Sequence, residues 1–221
     1  MSLITKLLQN KQYWILFISL LALILLPAFM STLFFTNLLF KIILSVVFFT
    51  SVSAVMTGKR LILYGVFLAF VVIVLEWISF LFKDEQNLIL TTQILYLAFF
   101  SYIIHRLFLV IVKSKEVTVD VIVVSVSIYL IMGIIFAILC STFNTIYEGA
   151  YSITVEAGSH IYDFLYYCFI TIATVGYGDI VPKIPQTQAL AVLMGINGQL
   201  YMTIIVAVLV GKFLQRSSES K

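Results

Sequence analysis

The sequence predicts an all-α membrane protein: six transmembrane helices, with a re-entrant helix and an irregular glycine-containing segment between the last two. Three observations carry that expectation. Only 10% of the 221 residues are charged and 62% are hydrophobic, with a mean hydropathy of +1.15, whereas soluble domains are about a quarter charged. The apolar residues fall into six runs near the length a helix needs to cross a bilayer, about 20 residues at a rise of about 1.5 Å each. One further apolar run is too short to cross and leads directly into glycines, the pattern of backbone that enters the membrane and turns back.

In chain order the spanning runs cover about 13–30, 38–56, 61–82, 88–112, 117–142 and 188–213. Lys6 and Lys11 precede the first run as they would in a signal peptide. No small-residue cleavage site follows, so the run reads as a span. Pro185 and Gln186 mark the start of the last helix, since proline is accommodated in a first turn. The expected units are a peripheral four-helix part over 1–116, a second part over 117–214 and a short tail over 215–221.

With six spans both termini share one side. That side holds Lys6, Lys11, Lys59, Arg60, Arg106, Lys113, Lys115, Lys212, Arg216 and Lys221, and the opposite loops hold Lys83 and Lys183. Positive charge concentrates on the cytoplasmic side, so both termini are expected in the cytoplasm of a multi-pass cell-membrane protein. Lys41 reads as snorkelling outward from the outer end of the second span. Asp84, Glu85, Glu148, Glu156, Asp163 and Asp179 give the outer side a negative surface, which concentrates cations. The net charge of +3 follows loop topology and gives no signal for nucleic acid. Cys140 and Cys168 lie in apolar sequence away from other metal-ligand residue types and read as buried small hydrophobes rather than as a disulfide.

The short run, about 161–173, leads into Thr174, Val175, Gly176, Tyr177, Gly178 and Asp179. Irregular backbone at membrane depth needs protein, water or an ion to satisfy its carbonyls. Glycines reach positive φ, which lets successive carbonyls face one line. The Thr174 hydroxyl and the carbonyls of Thr174, Val175, Gly176 and Tyr177 then form a column of hard oxygen ligands suited to an alkali cation. The side chains of Val175 and Tyr177 are expected to point back into protein. One chain supplies one column, so symmetry-related copies must complete the rings, four in this expectation. The preceding helix directs its partly negative C-terminal end toward the column. Tyr166, Tyr167 and Tyr177 are candidates for an aromatic brace, and Asp179 for an outer cap hydrogen-bonded to Tyr166.

The Thr174–Asp179 pattern, after an aromatic helix and between two spans, resembles the potassium channel pore-loop signature. The resemblance covers about 118–214 and implies a homotetramer with a central pore, K+ as the permeant ion, no cofactor, and an inner helix that gates. Tyr177 stands where less selective relatives carry an acidic residue, which implies potassium over mixed conductance. Gly198 falls at the family's hinge position, and Gly195 reads as a packing glycine. Helical spacing puts Gln199, Met202, Thr203, Val206 and Val210 on one face with Gly198, expected to line the cavity, with the two valines able to close it by dewetting.

The first four runs resemble six-span channels in number only. The fourth carries Arg106 and Lys113, with His105 alongside, and no basic residue at every third position, so strong voltage gating is not expected. Glu76 reads either as a residue that pairs with a cation or senses protons or, preferred, as interfacial near Lys83; His160 at the outer mouth reads either as a residue tuning current with pH or, preferred, as simply solvated. The few residues after Phe213 leave no room for a fused ligand sensor, and a separate cytoplasmic regulatory partner, lipid, tension or pH remain as stimuli. A potassium transporter subunit is the first alternative, disfavoured because such chains carry four pore loops and this one carries a single loop. The second is a non-conducting regulatory channel subunit. No catalytic triad, metal-ligand cluster or phosphate-binding loop points to an enzyme.

Overall fold

Each spanning run becomes a helix. A computed structural model describes residues 3–29, 33–55, 59–81, 85–114, 116–153 and 160–219, the side chains at 3–10, 33, 59–62, 64, 80–81, 160 and 213–219 excepted. The helices are α1 (Leu3–Leu25), α2 (Leu33–Val55), α3 (Lys59–Leu81), α4 (Gln86–Lys113), α5 (Val119–Ile146), α6 (His160–Ile172) and α7 (Pro185–Glu219). A 3₁₀ turn, Leu26–Phe29, follows α1. Pro27 explains it, because its ring and missing N–H interrupt the α-helical ladder.

Among the described residues five helical segments are long and apolar enough to cross a membrane: Lys11–Phe29, Phe34–Val55, Gln86–Lys113, Val119–Ile146 and Pro185–Lys212. The described apolar part of α3 is shorter, Gly65–Ser79. α7 begins at Pro185 as predicted but continues through Glu219, so most of the expected tail is helix.

α5 is the hub of the fold: α1, α4, α6 and α7 all pack on it. Its valines, isoleucines and small residues are buried on nearly every side, as expected of a helix apolar all round. The peripheral helices join it through Leu16, Leu20 and Leu23 of α1 and through an aromatic cluster of Phe48 with Phe99 and Phe100. On α4, Gln93 Nε2 donates to Ser141 Oγ of α5 at 3.0 Å.

The expectation that Lys41 snorkels outward is corrected: its Nζ donates to Glu76 Oε1 at 3.4 Å. Glu76 is 1% exposed and has the cation partner that is one of its two expected readings. An isolated charge is costly in apolar surroundings and an opposite charge offsets part of that cost, so each selects the other. Lys83 lies outside the described residues, as do the orientation charges Asp84, Lys115, Glu156 and Lys221 and the side chains of Lys6, Lys59, Arg60, His160 and Arg216. At the opposite end of α2, Arg106 Nη2 donates to the Val55 carbonyl at 3.4 Å. Lys212 Nζ of α7 donates to the carbonyls of Ile111 and Ser114, at 2.8 and 2.7 Å, at the end of α4. Both cations sit at the partly negative C-terminal ends of helices.

Candidate functional site

The site begins with how α6 is seated. Gly133 of α5 faces the Phe169 ring so closely that a Cβ there would meet its Cζ at 2.5 Å. On the other side a Cβ at Gly198 of α7 would stand 2.3 Å from the carbonyl oxygen of Ile172. The short helix is therefore held between two larger ones by two positions without side chains.

At its C-terminal end the chain folds back over the helix. Ala173 N–H donates to Phe169 O at 3.0 Å and Thr174 N–H to Thr171 O at 3.0 Å. Val175 and Gly176 both donate to Ile170 O, at 2.8 and 3.2 Å. These bonds occupy carbonyls that a helix end leaves unpaired and direct the N–H side of the segment toward α6. The carbonyls of Thr174, Val175, Gly176 and Tyr177 accept no hydrogen bond from any described group.

Backbone conformation accounts for that arrangement. φ is +61° at Thr174, +55° at Gly176 and +80° at Gly178, and is not positive at Val175 or Tyr177. In an extended strand successive peptides face opposite ways; alternating left- and right-handed residues turn like groups toward a common side. The two glycines were expected in this role. Thr174 was not, and a non-glycine residue there is uncommon.

Above the segment, Tyr166 Oη donates to Asp179 Oδ2 at 2.6 Å, the cap expected from the sequence. Asp179 Oδ1 accepts from Ile180 N–H at 3.1 Å. The chain then enters β2 (Ile180–Pro182), paired antiparallel with β1 (Tyr151–Ile153) in the register Ser152↔Val181. Lys183 N–H and Thr187 Oγ1 both donate to Ala150 O, at 2.9 and 3.1 Å. This clasp fixes the start of α7 to the linker after α5. Nothing in the sequence analysis foresaw it, because three-residue strands are too short to show a period.

The three candidate brace tyrosines do not meet within one protomer. Tyr167 is buried against Tyr151, ring centroids 5.7 Å apart, Tyr166 reaches Asp179, and Tyr177 is 73% exposed. Val175 is 52% exposed, so neither the Val175 nor the Tyr177 side chain is buried in its own protomer.

On α7, Gln199, Met202, Thr203, Val206 and Val210 are all exposed, as a face left for other copies or a cavity must be. Leu190, Met194 and Ile205 are buried, and Tyr201 Oη donates to Ser125 O of α5 at 2.6 Å. Gly195 has nothing within 4 Å of an added Cβ, whereas Gly198 is in close contact with the Ile172 carbonyl, and α7 runs through both glycines unbroken.

An aromatic short helix set between two long ones, followed by a turn of unpaired carbonyls, is the pattern to be compared with known proteins. Residues 124–215 match the ion channel family model. The match takes in nearly all of α5, the whole of α6 with the 174–178 segment, and most of α7; the first four helices lie outside it. It supports an ion channel unit in that part of the chain, and the apolar helices fit a multi-pass membrane protein. No curated protein and no solved structure matches the chain.

Proposed function

We propose that this ion channel is potassium-selective and works as a homotetramer, with K+ passing through rings formed by Thr174, Val175, Gly176, Tyr177 and Gly178 of four copies. The observation that carries the reading is the run of unpaired carbonyls from Thr174 to Tyr177, with φ alternating in sign at the C-terminal end of α6. Carbonyl oxygens replace the hydration shell of an alkali ion without presenting a full charge that would hold it. The helix end beneath adds partial negative charge. Tyr166 and Asp179 hold the outer mouth. The exposed side chains of Val175 and Tyr177 pack against the neighbouring copy, and the brace forms between protomers.

In this reading six helices span the cell membrane with both termini cytoplasmic. The α7 face of Gln199, Met202, Thr203, Val206 and Val210 lines the inner cavity. The Gly198 contact favours a gate that moves without a bend at that residue. Membrane lipid surrounds the four-helix part, and a cytoplasmic partner binding near the inner end of α7 is one route to opening. No resident cofactor is required.

The test is a planar bilayer containing the purified protein, with potassium on one side and sodium on the other. A reversal potential near the potassium equilibrium value, lost in Gly176→Asp, supports the proposal. Current that does not discriminate the two ions rejects potassium selectivity.

A further inference from the structure

Behind the 174–178 segment, Cys140 of α5 and Cys168 of α6 face one another with both thiols free and fully buried. Their Sγ atoms are 3.6 Å apart. That is contact distance for two sulfurs on helices packed together, against about 2.05 Å for a disulfide bond.

Two further features lie near the pair. The Tyr151 phenol reaches the Cys140 thiol, and Tyr167 lies close to both thiols. A cavity of about 30 Å³ between α2, α4, α5 and α6 has Ala137 and Leu165 in its wall and touches neither thiol. These stand one helical turn from Cys140 and Cys168 respectively. A water-sized molecule needs about 10–15 Å³, so the cavity admits hydrogen peroxide, which is uncharged and enters apolar surroundings more readily than an ionic oxidant.

We propose that Cys140 and Cys168 form an oxidisable pair that a small hydroperoxide converts to a disulfide joining α5 to α6. One sulfur attacks a peroxide oxygen as its own S–H proton is released. The O–O bond breaks, the cysteine proton goes to the departing oxygen, and a sulfenic acid and water result. The second sulfur attacks the sulfenic sulfur; the S–S bond forms, the S–O bond breaks, and the second thiol proton leaves with that oxygen as water. The two thiols lose two electrons and two protons, and one peroxide becomes two waters. The bond ties the helix beneath the 174–178 segment to the hub of the fold.

The full-length protein in liposomes is treated with hydrogen peroxide, quenched, denatured without reductant and labelled with a mass-shifting maleimide. Two labelled thiols per chain before treatment are expected to fall to none after it. A Cys140–Cys168 linked peptide should appear in the digest, the chain should remain uncrosslinked to its neighbours, and dithiothreitol should restore both labels. Cys140→Ser and Cys168→Ser are each expected to give no linked peptide. Retention of both labels at a dose that oxidises an exposed thiol in the same liposomes overturns the proposal. So does loss of label as sulfinic acid without a linked peptide, or a crosslink between chains. These readouts are independent of whether the protein conducts.

Discussion

A methyl group at Gly198 has nowhere to go except into the Ile172 carbonyl, and that carbonyl ends the helix from which the 174–178 segment turns. Gly198→Ala should therefore act on permeation through α6 rather than on bending of α7. Overpacking of this kind costs about 1–3 kcal/mol, and the potassium-to-sodium permeability ratio is expected to fall several-fold. Gly195→Ala, which meets open space, should leave it unchanged. Normal selectivity in Gly198→Ala would show that α7 can move aside without disturbing the segment. The buried Lys41–Glu76 pair makes a second prediction. Removing one partner leaves a buried charge, so Lys41→Met should destabilise the protein by about 3 kcal/mol. Lys41→Met combined with Glu76→Gln should recover most of that in thermal unfolding in detergent, and additive losses would mean the two charges are not coupled. The Tyr166–Asp179 bond was legible because both residues belong to one local motif. The Lys41–Glu76 contact was not, because it depends on how α2 and α3 are rotated against each other, which hydropathy does not encode.

At the scale of elements, apolar run length recovered every long helix, with boundaries shifted outward where polar residues extend the ends. α1 starts well before its apolar run, and α7 extends past Phe213 into charged sequence. The seating of α6 was hidden for a different reason. Gly133 looks like any small residue in a membrane helix until Phe169 is seen facing it. The least predictable junction is Lys212 on the carbonyls of Ile111 and Ser114, because a lysine at an inner helix end ordinarily reads as a topology signal. Here it joins the last peripheral helix to α7. Hydrogen bonds from a charged donor contribute about 1.5–3 kcal/mol, so Lys212→Met should speed amide exchange in the final turn of α4 by about tenfold or more. Exchange there at the native rate would mean that solvent replaces the lysine without loss and that the junction transmits little.

The whole molecule raises two questions that one protomer poses without answering, and both follow from what it leaves exposed or charged. Most side chains along α7 are exposed, Val192, Leu193, Ile196, Leu200 and Ile204 among them, while α5 beside it is mostly buried. Such a helix needs lipid or other copies against it, and four copies are expected in native mass spectrometry, near four times 25.0 kDa. Voltage sensitivity is the second question. A charge crossing the membrane field contributes about 2.3 kcal/mol per 100 mV, so a steep response requires several mobile charges in mid-span. On α4 the described cations are Arg106 and Lys113, both in its last third, and Arg106 is occupied at the end of α2. Lys41 and Glu76 pair with each other, so moving them together carries almost no net charge. Conductance measured against voltage in symmetric potassium should accordingly rise with a slope of less than about one elementary charge per subunit. A steeper curve that flattens in Lys41→Met would identify the α2–α3 pair as two charges moving separately, and would make the peripheral helices a voltage sensor built without an arginine ladder.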